Sequence, residues 1–324
     1  MVSPVVWFLY IKNQKYKTMQ KQVTYGILIV NVILLGLFFS STLKSDETSD
    51  SKDDKTVLDA PINQIINPVS VPESLTFAGE RVPLEIEDVK ERLDRELLVN
   101  TYWHSNTIQL FKRASRDFPI IEKILAENEM PDDFKYLALA ESGLLNVVSP
   151  MSAGGYWQIL EPTAKEYGLE VSSEVDERRH IEKATQAAVN YLKKAKARFG
   201  SWALATASYN IGQPRLASIV EVQKTTSYYD LYLNEETSRY VFRIIALKEV
   251  FNNPERYGFY LDKTDLYQPY QYREVEIDSS INDLAAFAAS QGANYKTMKI
   301  LNPWLTETHL YNKSRKTYTI KLPI

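Results

Sequence analysis

Ala184, Ala187, Ala188, Tyr191, Leu192 and Ala195 recur at spacings of three and four between Ile181 and Phe199. Such spacing traces one stripe of an amphipathic α-helix and is incompatible with a strand. Gly200 supplies a stop for this helix, and Ser201 can cap a following one over Trp202–Ser208. Similar patterns predict helices over Ile86–Leu98, Asn106–Phe118, Ile120–Glu127, Phe134–Ala140, Pro162–Tyr167 and Thr237–Phe251. Alternating β-branched runs are scarce between residues 80 and 260. The expectation is a mainly α body of roughly 180 residues, large enough for a core and a cleft.

Composition narrows the chemistry. With 38 basic against 41 acidic residues the formal net charge is −3, so no cationic excess points to nucleic acid as a partner. Cysteine is absent, which removes disulfides, thiolate nucleophiles and zinc–thiolate sites. His104, His180 and His309 are scattered, so no imidazole metal site is expected. The 21 Tyr, 12 Phe and 5 Trp would suit stacking on sugars, although most such rings belong to a core.

Both ends of the chain differ from this body. Lys12, Lys15, Lys17 and Lys21 precede an uncharged, largely aliphatic stretch from Gln22 to Leu43, bounded by Lys44. A helix of about 20 apolar residues crosses a bilayer, and basic residues stay on the cytoplasmic side. Residues 1–44 therefore read as a cytoplasmic segment and inner-membrane anchor, with the rest of the chain in the periplasm. A cleaved signal peptide is the alternative, with secretion to the periplasm. Residues 45–75, acidic and then proline-rich, read as a disordered linker. From 76 to 265 runs the helical body. Residues 273–324 then alternate at Arg273–Ile277, form short helices around Ile281–Ala288 and Tyr295–Leu301, and alternate again at Thr317–Leu322. That β-α-α-β order predicts a small module, separable from the body.

Glu141 stands out chemically. On a helix starting at Asp132 it shares a face with Phe134, Leu137 and Ala138, which should point inward. A carboxyl on an apolar face loses hydration, its charged form is disfavoured, and its pKa rises toward the value a general acid needs. A structural glutamate paired with a buried base fits the same position. Around it in sequence stand Ser142-Gly143, then Gly154-Gly155-Tyr156-Trp157-Gln158, and later Ser208-Tyr209-Asn210. Rings to stack on and amides to read hydroxyl and N-acetyl groups are what a sugar cleft requires.

In this ordered set the chain resembles the lytic murein transglycosylases with a goose-lysozyme-like (SLT) fold, over roughly Glu80–Phe259. The resemblance also rests on Arg92–Asn100, Asp133–Ser142, Thr163–Gly168 and the run Glu236-Thr-Ser-Arg-Tyr240-Val. It implies a lysozyme-like catalytic domain with Glu141 as the single acid/base. It further implies substrate-binding roles for Ser142, Gly155, Tyr156, Gln158, Tyr209, Asn210 and Tyr240. Ser208 stands where such families carry alanine. The substrate implied is peptidoglycan, cut at the β-1,4 bond between N-acetylmuramic acid and N-acetylglucosamine, with 1,6-anhydro ends formed and no metal or organic cofactor. The terminal module resembles a divergent LysM unit, with Ser279-Ser280 in place of the usual glycine-aspartate. A muramidase that uses water, or a non-catalytic peptidoglycan anchor, would fit the same domain order.

Overall fold

The protein is described by a computed structural model over residues 66–324, and the segment read as a membrane anchor, with most of the acidic linker, lies outside the described residues. Among the described residues no helix is long and apolar enough to cross a membrane.

The chain enters through a two-stranded hairpin, β1 (Thr76–Phe77) and β2 (Glu80–Arg81). Eight helices follow: α1 (Glu87–Tyr102), α2 (His104–Glu127), α3 (Lys135–Ser142), α4 (Glu161–Glu166), α5 (Ile181–Phe199), α6 (Trp202–Ile211), α7 (Gln213–Gln223) and α8 (Glu235–Asn252). The architecture is mainly helical, as the periodicity predicts. The alanine stripe of α5 is buried at Ala184, Ala187, Ala188 and Ala195, and α2 and α6 pack against this helix. Small side chains let neighbouring backbones approach closely, so α5 occupies the middle of the body. Helix α8 is the second axis. Its apolar face contributes Val241, Phe242, Ile244, Ile245 and Val250 to the core, and α1, α3 and α6 pack on it.

Helix ends follow local chemistry. Ser201 accepts a hydrogen bond from the Leu204 amide (3.2 Å) and caps α6, while Gly200 closes α5 at φ +78°. Glu80 reinforces the start of α6 by accepting from the Trp202 amide at 2.7 Å and the Ala203 amide at 3.2 Å. A carboxylate there meets the positive end of the helix dipole.

Three segments depart from the sequence reading. The stretch predicted as two helices, Asn106–Phe118 and Ile120–Glu127, is the single helix α2, which runs through Pro119. Phe118 and Ile121 are buried on either side while Pro119 itself is exposed, so tertiary burial holds the helix across the missing amide. Gly212 ends α6 and at once caps α7, a helix the sequence reading did not predict, with Pro214 in its first turn, where proline is compatible. Residues 66–75, read as linker, lie against the body: Val69 and Val71 pack on the core, and Arg256 donates to the Ser70 carbonyl at 3.2 Å.

The C-terminal module consists of β3 (Tyr272–Ile277), α9 (Leu284–Ser290), α10 (Tyr295–Leu301) and β4 (Tyr318–Pro323). The strands pair antiparallel, with Val275 opposite Ile320. Its core is built on Leu284, Met298, Trp304, Ile320 and Leu322, and it takes in Val175 from the helical body. Residues 66–324 thus form one compact unit. The loop after α10 clasps the segment before α5. Thr306 donates from its amide to the Glu174 carbonyl (2.9 Å), the Asp176 amide donates to the Trp304 carbonyl (2.8 Å), and Lys316 pairs with Glu170 (2.6 Å).

Candidate active site

Helix α3 is short, and its last turn carries the chemistry. Phe134, Leu137 and Ala138 are fully buried, which fixes the rotation of the helix. Glu141, on the same face, is carried past the end of the core to the floor of a cleft of about 430 Å³. Gly143 ends the helix in the left-handed conformation at φ +58°, and its carbonyl accepts from Arg113 Nε at 2.5 Å. Burial pushes the Glu141 carboxyl up to about 7, against the opposing pull of a hydrogen bond from the Tyr240 hydroxyl and of the nearby Arg243 guanidinium. Near neutrality such a group holds its proton about half the time, so it can donate and then accept one. Tyr240 and Tyr209 are both raised well above the ordinary phenol range by burial, with the Glu141 charge acting in the same sense. Both phenols therefore stay protonated and act as donors.

The turn that follows in sequence packs behind Val147, which lines the cleft. Gly155 adopts φ +76°, and a Cβ there would stand 1.8 Å from the Arg178 carbonyl oxygen. Only glycine fits so close an approach. The Gly155 amide donates to the Val147 carbonyl (3.0 Å), and Gln158 Nε2 donates to the carbonyls of Val147 (3.0 Å) and Gly155 (2.8 Å). Ser142 Oγ donates to the Tyr156 carbonyl at 2.7 Å, tying the end of α3 to this turn. Arg178 braces it from behind. Its guanidinium is paired with Asp176 (2.8 Å) and donates to the Ser152 carbonyl at 2.8 Å.

The remaining residues singled out from sequence divide between two further cavities and the core. Tyr209, on α6, donates to the Trp157 carbonyl (2.7 Å), and with Gln158, Asn210, Tyr167 and Tyr191 it lines a second recess of about 200 Å³. Asn210 accepts from Thr237 Oγ1 (2.7 Å), which locks the end of α6 to the first turn of α8. Tyr156 meets the turn through its backbone alone. Its ring lines a different cavity, between the body and the terminal module, because the bend at Gly155 turns it toward Arg116. The neighbouring Trp157 is core: its indole is fully buried and donates to Thr185 Oγ1 at 2.8 Å.

Sequence reasoning missed part of the cleft lining. Trp103, at the joint between α1 and α2, is 61 % exposed and lines the Glu141 cleft. An exposed tryptophan in a cleft is a stacking platform, and its position between two helices is the signal that could have found it. Arg113, Arg239 and Arg243 line the same cleft. Among its lining residues the other carboxylate is Glu96, which is 1 % exposed and accepts from Arg239 Nε at 2.6 Å. Among the described residues no group of three His, Cys, Asp or Glu side chains is arranged to hold a metal ion.

Two stretches of the chain match known domain families. Residues 118–231 match the transglycosylase SLT domain, and residues 273–324 match the soluble lytic transglycosylase C-terminal LysM-like domain. The chain carries an SLT domain followed by a LysM-like domain. It is homologous to membrane-bound lytic murein transglycosylase D of Escherichia coli strain K12, with 28% identity over 235 residues, 70% of this chain and 50% of the relative. The same protein from Escherichia coli O6:H1 matches equally. The chain thus spans about half the length of these relatives. Among solved structures, the 70 kDa soluble lytic transglycosylase SLT70 of Escherichia coli aligns with 47% of this chain and 26% of its own, at 20% identity and a TM-score of 0.35.

Proposed function

We propose that this protein is a peptidoglycan lytic transglycosylase with a lysozyme-like catalytic domain. It cleaves the β-1,4 bond between N-acetylmuramic acid and N-acetylglucosamine, and Glu141 serves as both acid and base. The observation that carries the reading is the Glu141 carboxyl, pushed up to about 7 at the floor of a cleft whose other lining carboxylate is held by arginine. A glycosidase that uses water as nucleophile, or a covalent intermediate, ordinarily works with two carboxyl groups. One carboxyl suffices if the substrate supplies the nucleophile. Glu141 protonates the glycosidic oxygen as the bond to C1 breaks. The N-acetyl group of the muramoyl sugar stabilises the positive charge that develops. The ionised Glu141 then takes the proton of that sugar's 6-hydroxyl, whose oxygen closes on C1 to form a 1,6-anhydro ring. The proton returns to Glu141 and no water is consumed.

Tyr240 steadies the carboxyl through both halves of the cycle, and Gln158, Tyr209 and Asn210 offer amides and a phenol to the sugar. The relatives' name includes "membrane-bound", which agrees with the apolar stretch Gln22–Leu43 as an anchor in the cell envelope. Replacing Glu141 by Gln tests the assignment, since the side chain keeps its shape and loses its transferable proton. Turnover should fall by roughly 100-fold or more, the order that positioned proton transfer contributes. A variant that turns over at near wild-type rate would return Glu141 to a structural role.

A further inference from the structure

The Glu141 cleft is lined by a charge arrangement that proton transfer to a neutral sugar bond does not need. Arg239 and Arg243 sit one turn apart on α8, and both face the buried Glu96 of α1. Arg239 Nε donates to Glu96 Oε1 at 2.6 Å, whereas Arg243 Nε stands 4.0 Å from Glu96 Oε2. One carboxylate is thus shared by two guanidiniums, and only one of them is hydrogen-bonded to it. Arg113 adds a third guanidinium from α2, engaged through Nε with a backbone carbonyl, which carries no compensating charge. Among the cleft-lining side chains, three guanidiniums face the carboxylate of Glu96 and the catalytic carboxyl; Asp117 near Arg113 is itself held by Arg116, and Glu236 near Glu141 is exposed. Glu235 lies 3.6 Å from Arg239 but is exposed at the rim, where water screens it. An arginine held by a buried carboxylate keeps its remaining N–H groups aimed in fixed directions, and its planar fork matches a carboxylate.

We infer that Arg243, oriented with Arg239 by Glu96, binds a carboxylate carried by the 3-O substituent of the muramoyl sugar and so selects anionic strands. The inference rests on reading this cleft as a peptidoglycan site. The carboxylate has two sources. On a strand stripped of its peptides it is that of the lactyl ether itself. On a strand that bears stems it belongs to the peptide. Arg243 suits the role of reader because it retains free donors, while Arg239 is committed to Glu96 and positions the pair.

The test uses the full chain and two matched pairs of soluble glycan fragments. One pair is stem-free, with lactyl carboxylates free or converted to methyl amides. The other bears stems, with peptide carboxylates free or amidated. For at least one pair, wild-type kcat/KM should be about tenfold or more higher on the charged member, the order expected of a charge-assisted contact. The pair that discriminates identifies the source. Arg243→Gln should bring the ratio close to one, mainly through KM on the charged fragment, and Arg243→Lys should keep most of it. Any effect of Arg243 on the protonation of Glu141 strikes both members of a pair equally and cancels in the ratio. Titration of the same fragments into the Glu141→Gln chain gives the ratio of affinities without turnover. It decides the question even if no anhydro product forms, an outcome that would sink the proposed reaction but not the recognition. Equal handling of charged and neutralised fragments by the wild type, or a preference unchanged in a folded Arg243→Gln protein, would overturn the inference.

Discussion

At the residue scale, Glu141 ties stability to chemistry. Its carboxyl is raised in the folded protein from 4.5 to about 7 by burial. A group raised on folding favours the native state while protonated, so its contribution is complete below the unfolded pKa and is lost as pH rises through the folded one. Across that window the loss is on the order of 3 kcal/mol. Glutamine cannot ionise and escapes it. Glu141→Gln should therefore be no more stable than wild type below the ordinary carboxyl range and clearly more stable above pH ~7, as chemical unfolding at a series of pH values will show. A stability difference independent of pH would mean that the native carboxyl titrates normally. The inward face of Phe134, Leu137 and Ala138 was legible from spacing, because a helix converts intervals of three, four and seven into one side. The arginine wall was not. Glu96, Arg113, Arg239 and Arg243 come from α1, α2 and α8, and only the packing of α1 on α8 brings the glutamate between the two α8 arginines.

At the scale of elements, periodicity located the long helices well, and it failed where proline was given too much authority. The body does not break at Pro119, where α2 continues with its buried residues in register and one amide hydrogen bond missing. Since Pro119 is exposed, its ring adds little packing that the helix would miss. Pro119→Ala should restore an amide donor toward the Ser115 carbonyl and stabilise the protein by roughly 1 kcal/mol or more, part of the ~3 kcal/mol that separates the two residues inside helices. Denaturant unfolding measures this directly. A loss of stability would show that α2 needs the local bend at Pro119 to seat Phe118 and Ile121. Hairpin β1–β2 escaped the sequence reading for a different reason. Its turn places Ala78 at φ +50°, a conformation that alanine rarely advertises, and it is held by a bond from the Ala78 amide to Asp133 at 2.6 Å.

For the whole molecule, the terminal module is braced to the catalytic turn. The loop after α10 holds Asp176, Asp176 holds Arg178, and Arg178 supports the turn that presents Gln158. The β-α-α-β order was visible in the sequence, but its docking was not, because Val175 and Lys316 lie about 140 residues apart and nothing local links them. Truncation near Asp265 should therefore do more than remove a binding module. It would expose Val175, strip Lys316 from Glu170 and Glu177, and lower the melting temperature by on the order of 5 °C. Turnover on soluble glycan fragments should fall with it, whereas unchanged melting and turnover would restore the picture of a separable module. Over all these scales stands the claim that one carboxyl performs both proton transfers and the sugar supplies its own nucleophile. Mass spectrometry of fragments released from purified peptidoglycan tests it most directly. The muramoyl ends should be two hydrogens and one oxygen lighter than hydrolysed ends, and borohydride should leave them unreduced. Muramoyl ends of full mass that borohydride reduces would show that water is the nucleophile and would contradict the single-carboxyl mechanism.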